Sequence, residues 1–123
     1  VTALVNVCKV LTPQLIRNAG GTIVNISSDA DELGFEGAVG YCATKGAVSA
    51  ASRALRLELF KYGIRVTTIC PGRVDTHFNN KAPGMRPGAL DASHVAEVIE
   101  FAILCDPAID LTEVRLDSLK RQA

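Results

Sequence analysis

Tryptophan is absent from this chain of 123 residues, and aromatic side chains make up only 5% of it. The formal net charge is zero, so the composition implies no attraction to nucleic acid or to an anionic membrane. No apolar run reaches the ~18 residues that a membrane-spanning helix requires. The N-terminus also lacks the basic segment and apolar stretch of a secretory signal. These absences argue against nucleic-acid-binding and membrane-embedded proteins and favour a globular one.

Patterns of metal ligands and disulfides are equally scarce. The four cysteines are widely scattered and form no Cys-x-x-Cys pair, so we expect reduced, buried thiols and a cytoplasmic location. They are Cys8, Cys42, Cys70 and Cys105. The two histidines, His77 and His94, stand seventeen residues apart, and we predict no metal site at either.

Hydrophobic periodicity predicts alternating helices and strands. We expect helices over 1–18, 40–62 and 92–105, strands over 22–26, 64–70 and 113–117, loops over 28–40 and 71–90, and a polar tail from Ser118. Gly63 should end the second helix, Asp91 should cap the third, and Pro13 should bend the first. The alternation predicts an α/β fold with a parallel sheet and crossover helices.

The first predicted strand is β-branched and apolar apart from Asn25, which is typical of a strand covered on both faces. We expect Asn25 to satisfy backbone hydrogen bonds rather than to touch a ligand.

Tyr41 and Lys45 stand four residues apart, which places them on the same face of the second helix. An ammonium group beside a phenol stabilises the phenolate, so such a tyrosine can exchange a proton near neutral pH. Ser28 ends the preceding strand, where its hydroxyl can hydrogen-bond the same substrate oxygen; its plainer interpretation is a cap on the following loop. The Tyr-x-x-x-Lys spacing alone also arises by chance on amphipathic helices, so the surrounding motifs decide its meaning.

Four segments resemble the classical short-chain dehydrogenase/reductase family in order and spacing. They are Gly21-Thr22-Ile23-Val24-Asn25-Ile26-Ser27-Ser28, Tyr41-Cys42-Ala43-Thr44-Lys45, Gly63-Ile64-Arg65-Val66 and Pro71-Gly72-Arg73-Val74-Asp75-Thr76. The resemblance runs from Val1 to about Leu116. It implies the C-terminal half of a Rossmann-like doubly wound parallel sheet, with about three strands side by side.

The resemblance also implies roles for individual residues. Ser28, rather than Ser27, would orient the substrate oxygen, Tyr41 would be the general acid or base, and Lys45 would assist Tyr41 and hydrogen-bond the nicotinamide ribose. The cofactor-binding residues would be Tyr41, Lys45, Pro71, Gly72, Val74 and Thr76. The cofactor would be NADP or NAD, with a slight preference for NADP. The family's relay asparagine would fall just before Val1, and Asn6 is not expected to replace it.

The family's glycine-rich cofactor turn is not found in the chain. A complete doubly wound dinucleotide fold contains two βαβαβ halves and needs about twice this length. We therefore expect residues 1–123 to be one partial domain that is inactive in isolation. Gly34, Gly37 and Gly40 follow the wrong strand for a phosphate loop, and we interpret them as a flexible substrate-side loop.

Association with further copies is expected on two grounds. Without a neighbour, the strand over 22–27 would leave one edge unpaired, and exposed strand edges promote association. The family resemblance implies that the helices over 1–18 and 40–62 pack against a second subunit, which gives a homodimer or homotetramer.

The implied function is reversible hydride transfer between NAD(P) and a small carbonyl or secondary alcohol. The alternative is a non-catalytic fragment that acts only in interaction or oligomerisation. A halohydrin lyase would carry arginine in place of Lys45, and the Pro-Gly-x-Val-x-Thr segment favours the reductases over sugar-nucleotide epimerases. The substrate is not defined by the sequence, although Phe35, Phe78 and Met85 are expected to line its pocket.

Overall fold

The computed structural model describes residues 1–120, in which helices and strands alternate along most of the chain. The elements are α1 Thr2–Arg17, β1 Gly21–Ile26, α2 Val39–Leu59, β2 Ile64–Pro71, β3 Val74–Asp75, β4 Leu90–Asp91, α3 Ala92–Leu104 and β5 Glu113–Leu116. The predicted α/β class, the three helices and the three main strands are confirmed. The predicted polar tail extends over 121–123, which lie outside the described residues.

The main sheet is parallel and contains β1, β2 and β5, with β2 at its centre. Ile26 lies opposite Ile69 in the β1–β2 pair, and Pro71 lies opposite Leu116 in the β2–β5 pair. The carboxyl ends of the three strands therefore meet at one edge of the sheet, where ligands bind in folds of this type. Residues that follow β1 and β2 are brought together at this edge.

Burial differs sharply between the strands. The central strand β2 is buried over most of its length, and Ile69 is 0% exposed. In β1 only Asn25 is buried, whereas Ile26 is 39% exposed. β1 is therefore less buried than predicted, since Thr22, Ile23 and Val24 are only half-buried. In the described part of the chain it lies at the edge of the sheet and pairs with β2 alone, so its other hydrogen-bonding side is open, as predicted.

Helices α1 and α2 pack on the sheet through an aliphatic core. The buried residues Leu59, Ile64 and Val66 form its centre, and Leu15, Ile16, Ile23 and Leu55 pack around them. A short 3-10 turn over 60–62 extends α2, and Gly63 then adopts a left-handed conformation with a φ of 69°. Glycine is the residue that adopts this conformation without steric penalty, so the predicted helix stop at Gly63 is confirmed. Helix α1 runs through Pro13.

Helix α3 begins with a reciprocal cap. The Asp91 carboxylate accepts a hydrogen bond from the Ser93 amide at 2.9 Å, and the Asp91 amide donates to Nδ1 of His94 at 3.1 Å. Two amides at the helix start are thereby satisfied, which confirms the predicted cap. None of the helices within residues 1–120 is long and apolar enough to cross a bilayer.

The predicted loop over 71–90 contains a small second sheet. β3 pairs in parallel with β4, so that Val74 lies opposite Leu90 and Asp75 lies opposite Asp91. Between them, the Arg86 guanidinium donates hydrogen bonds to the carbonyl oxygens of Thr76 and Phe78. The segment is therefore held at its base by the β3–β4 pair and further along by the hydrogen bonds of Arg86. Strands of two residues are too short for hydrophobic periodicity to predict.

Candidate active site

A cleft of about 840 Å³ opens at the carboxyl edge of the main sheet. Its lining includes every residue for which the sequence predicted a catalytic or cofactor-binding role: Ser28, Tyr41, Lys45, Pro71, Gly72, Val74 and Thr76. The volume lies within the range of ligand-binding pockets in proteins, roughly 300–1,000 Å³. The fold therefore brings three separate sequence segments to one site.

Ser28 follows β1 and is buried, with 8% of its surface exposed. Its hydroxyl accepts a hydrogen bond from the Ala30 amide at 3.1 Å and donates to the Asp29 carboxylate at 3.1 Å. Ser28 thus caps the 3-10 turn over 29–31 while it also lines the cleft. A hydroxyl has one proton that can rotate, so Ser28 can donate to a ligand oxygen when that proton turns away from the Asp29 carboxylate.

Tyr41 and Lys45 lie one turn apart near the start of α2, as predicted. The Lys45 ammonium lies over the Tyr41 ring, 5.9 Å from its centroid, and donates a hydrogen bond to the Ile26 carbonyl at 3.2 Å. This bond ties Lys45 to the end of β1, two residues before Ser28. Tyr41 is also flanked by two aromatic rings, Phe35 at 6.4 Å and Phe78 at 5.6 Å between centroids.

The Pro71–Gly72 turn forms the wall of the cleft that follows β2. The Gly72 amide donates to the Leu116 carbonyl at 2.8 Å, which fixes the turn against β5. A Cβ atom added to Gly72 would lie 2.5 Å from Oδ1 of Asp117. The space next to Gly72 is therefore filled by the Asp117 carboxylate, a contact that the sequence analysis did not anticipate.

A buried carboxylate, Asp31, lies directly behind the cleft. Its side chain is 1% exposed and accepts hydrogen bonds from the Arg115 guanidinium at 2.8 and 3.2 Å. It also accepts a bond from the Ser49 hydroxyl and one from the Cys70 thiol, the latter at 3.5 Å. Burial of the carboxylate raises its pKa, but the bonds from Arg115 and Ser49 outweigh burial, and the pKa of Asp31 is lowered overall.

The same cluster perturbs the two other groups that can ionise. The hydrogen bond to Asp31 raises the pKa of the Arg115 guanidinium, so it stays charged. Burial and the nearby Asp31 charge raise the pKa of the Cys70 thiol to about 11, which keeps the thiol neutral at physiological pH. Asp31 and Arg115 therefore form an ion pair beside a neutral thiol.

Ser27 and Ser49 connect this cluster to the residues of the cleft. The Ser27 hydroxyl donates to the Lys45 carbonyl at 3.0 Å, and Ser49 Oγ lies 2.8 Å from Ser27 Oγ. Ser49 is 1% exposed and lies one turn after Lys45 on α2. Ser27 is thus bonded to α2, whereas Ser28 is bonded within its own turn, to Asp29 and Ala30.

Four expectations need correction. Asn25 satisfies a side chain rather than the backbone, because its amide donates to Ser52 Oγ at 2.9 Å. Met85 is 60% exposed and is not among the residues that line the cleft, although Phe35 and Phe78 are.

Cys42 and Cys105 are half-buried rather than buried, although all four cysteines are free thiols. The predicted loop over 28–40 contains the 3-10 turn over 29–31, because the Ser28 cap stabilises it.

The Asp31 cluster was missed by the sequence analysis, although one signal was present. Arg115 lies in the predicted strand over 113–117 and Asp31 follows the first predicted strand, and the carboxyl ends of parallel strands in one sheet meet at the same edge. Within residues 1–120 no group of three or more histidine, cysteine or carboxylate side chains could hold a metal ion.

Comparisons with known proteins agree with the fold and the motifs. The family described as short chain dehydrogenase matches residues 1–86. A 2,5-dichloro-2,5-cyclohexadiene-1,4-diol dehydrogenase of Sphingobium indicum is 39% identical over 82 residues, which are 67% of this chain and 33% of that protein. An uncharacterised oxidoreductase of Mycobacterium tuberculosis is 34% identical over 93% of this chain and 49% of its own length.

Among solved structures, serine dehydrogenase in its closed form with NADP+ aligns with a TM-score of 0.89 at 25% identity. The alignment covers 98% of this chain and 53% of that one. The chain thus spans between a third and about half of the length of these relatives. Since the family match covers more than half of the chain, the protein belongs to the short-chain dehydrogenase family.

Proposed function

We propose that this chain supplies the catalytic half of an NAD(P)-dependent oxidoreductase that interconverts a small carbonyl compound and a secondary alcohol. The observation that carries the proposal is the meeting of Ser28, Tyr41 and Lys45 with the Pro71–Gly72 turn on one cleft. These residues come from the ends of β1 and β2 and from the start of α2. The site is formed by the fold rather than by one continuous segment.

The proposed roles follow from the chemistry of the three polar side chains. In reduction, the Tyr41 hydroxyl gives its proton to the carbonyl oxygen, and in oxidation the phenolate takes it back. The Lys45 ammonium, 5.9 Å from the ring centroid, stabilises the negative charge that remains on Tyr41. The Ser28 hydroxyl donates a hydrogen bond to the same substrate oxygen and fixes its orientation.

A nicotinamide cofactor, when bound, accepts or supplies the hydride. The residues present fit its nicotinamide end, because Lys45 offers an ammonium donor and Val74 and Thr76 line the same wall as the Pro71–Gly72 turn. The cleft is also lined by four basic side chains, Lys45, Arg73, Lys81 and Arg86, against one carboxylate, Asp29. This excess of positive charge favours an anionic ligand such as a dinucleotide. The NADP+ complex of the serine dehydrogenase supports NADP as the first cofactor to test.

The cleft wall beside Tyr41 suits a small, partly apolar substrate. Phe35 and Phe78 flank the Tyr41 ring and line the cleft, so the reacting carbonyl would lie between apolar surfaces. The four free thiols suit a reducing compartment, which supports the proposal of a cytoplasmic location.

Substitution of Tyr41 by phenylalanine tests the proposal in the natural protein at its full length. Tyr41→Phe removes the proton donor and keeps the ring that packs between Phe35 and Phe78, so kcat should fall by at least about 100-fold. The Kd for NADP, measured by calorimetry, should stay unchanged. Tyr62→Phe is the matched control, because Tyr62 follows α2 outside the cleft. Turnover by Tyr41→Phe at the wild-type rate would remove Tyr41 from the proposed role.

A second candidate is a non-catalytic interaction function, which the surface of α1 favours. Val5, Val7 and Val10 are 45%, 56% and 74% exposed, and a groove of about 440 Å³ runs between α1 and α2. Such apolar surface suits packing against a second copy of the chain, as a homodimer or homotetramer. Calorimetry with NADP and NAD separates the two functions, because a purely structural partner would bind neither cofactor.

A further inference from the structure

We propose that Asp31, acting through Ser49 and Ser27, is a positioning residue that holds Lys45 and the start of α2 in register with Ser28. The proposal rests on the oxidoreductase function above and adds Asp31 and Ser49, which are not among the residues that line the cleft. Asp31 does not contact the reacting atoms in this arrangement.

The connections of Asp31 reach each of the segments that carry the cleft residues. Asp31 itself follows Ser28 by three residues, within the turn that Ser28 caps. Ser49 bonds Asp31 from α2, one turn after Lys45. Cys70 bonds Asp31 from β2, directly before the Pro71–Gly72 turn. One carboxylate therefore joins all three parts of the candidate active site.

The link to Lys45 is the part that bears on catalysis. Ser27 Oγ lies 3.0 Å from the Lys45 carbonyl oxygen and 2.8 Å from Ser49 Oγ. Because Ser49 donates its one proton to Asp31, the single proton of Ser27 serves one of these two acceptors at a time. The Lys45 ammonium is fixed independently by the Ile26 carbonyl at 3.2 Å. Both ends of Lys45 are thus tied to the last residues of β1, and loss of the Ser49 link should let α2 shift relative to Ser28.

The cluster also has the charge and burial that such a device needs. Asp31 is buried at 1% side-chain exposure, and Arg115 from β5 neutralises it with two hydrogen bonds. A buried and fully bonded carboxylate has few alternative partners, so it holds the Ser49 hydroxyl in one orientation. Arg115 also contacts Glu113 at 2.6 Å, which secures the cluster to the sheet.

The test compares two serines of the same helix in the natural full-length protein. Ser49 and Ser52 are 1% and 2% exposed, and each bonds a polar side chain, Asp31 for Ser49 and Asn25 for Ser52. Ser49→Ala should lower kcat by about tenfold, since small displacements of catalytic groups cost up to ~100-fold. Ser52→Ala should leave kcat within about twofold of the wild type, although it should lower Tm by about as much as Ser49→Ala does. Asp31→Asn should reproduce the Ser49→Ala loss in kcat, with the KM for substrate changing by less than about twofold.

A spectroscopic measurement keeps the inference testable without turnover. ¹⁹F NMR of the fluorotyrosine-labelled protein reports Tyr41 and Tyr62, with Tyr41→Phe and Tyr62→Phe as the assignment controls. Ser49→Ala should shift the Tyr41 resonance and leave that of Tyr62 in place, and Ser52→Ala should shift neither.

Failure of the inference and failure of the proposed function give different results. An inactive wild type would refute the oxidoreductase function, and the Tyr41 resonance would then decide the positioning role. Equal losses of kcat in Ser49→Ala and Ser52→Ala would overturn the role of Asp31 and Ser49. A Tyr41 resonance that Ser49→Ala does not shift would overturn it as well.

Discussion

The two ends of the Asp31–Arg115 ion pair should contribute unequally to stability. The Asp31 side chain is 1% exposed, whereas that of Arg115 is 34% exposed. Arg115 also contacts Glu32 at 3.0 Å and Glu113 at 2.6 Å. Removal of Arg115 therefore leaves a buried carboxylate without a counter-charge, whereas removal of the Asp31 charge leaves an arginine that keeps two carboxylates and partial access to water.

The expected magnitudes follow from this asymmetry. Arg115→Met should lower the free energy of unfolding by about 3–5 kcal/mol, the range for a buried charge that loses its partner. Asp31→Asn keeps a polar side chain of the same shape and should lower it by about 1.5–3 kcal/mol through the lost charge-assisted hydrogen bonds. The double variant should be less destabilised than the sum of the single variants, because each single variant removes the same interaction.

Urea unfolding followed by circular dichroism at pH 7 measures all three variants. The pH dependence supplies a further check, because the folded pKa of Asp31 is lowered below its unfolded value. The stability that the pair contributes is then present above the unfolded pKa of about 3.9 and is lost as the pH falls through the folded value. The gap between wild type and Arg115→Met should therefore narrow in acid. Equal losses in the two single variants, or a larger loss in Asp31→Asn, would refute the assignment of Asp31 as the buried end.

Two further outcomes concern other parts of the fold. Burial and the Asp31 charge raise the pKa of Cys70 to about 11, above the ~8.5 of an unfolded thiol. The stability that the protonated thiol contributes to the folded state is therefore present below pH ~8.5 and is lost as the pH rises towards 11. The urea midpoint of the wild type should consequently fall between pH 8 and 10.5 by more than that of Cys70→Ala, and parallel curves would contradict this. Asp91→Ala should lower the free energy of unfolding through loss of the α3 cap, whereas Asp91→Asn should lower it less because its amide oxygen still accepts from Ser93. Equal losses would point to charge rather than hydrogen bonding.

The parts of the fold that could be predicted from sequence are those set by local pattern. The turn that extends α2 ends where Gly63 takes a positive φ, and the apolar run of β2 is typical of a central strand whose faces are covered by helices. The cleft was also predictable, since parallel strands direct the residues after Ile26 and Cys70 to one edge.

The remaining features depend on contacts between distant residues. Asp31 and Arg115 are 84 positions apart, and the shared edge of the sheet, which the sequence does indicate, does not single out this pair. The exposure of β1 depends on its position at the edge of the sheet, which the composition of the strand does not reveal. Asn25 was correctly recognised as a buried polar residue, but its partner Ser52 could be identified only when α2 was placed against β1.

The short β3–β4 pair has a mechanical consequence for access to the cleft. It pairs the two ends of the segment between β2 and α3, so residues 76–89 form a loop whose ends are held together. Phe78, which lies near the start of this segment, contacts the Tyr41 ring, and Arg86 donates a hydrogen bond back to Thr76. A molecule entering the cleft would therefore displace a prefolded flap as one piece, and little chain entropy would be lost when that flap settles over it.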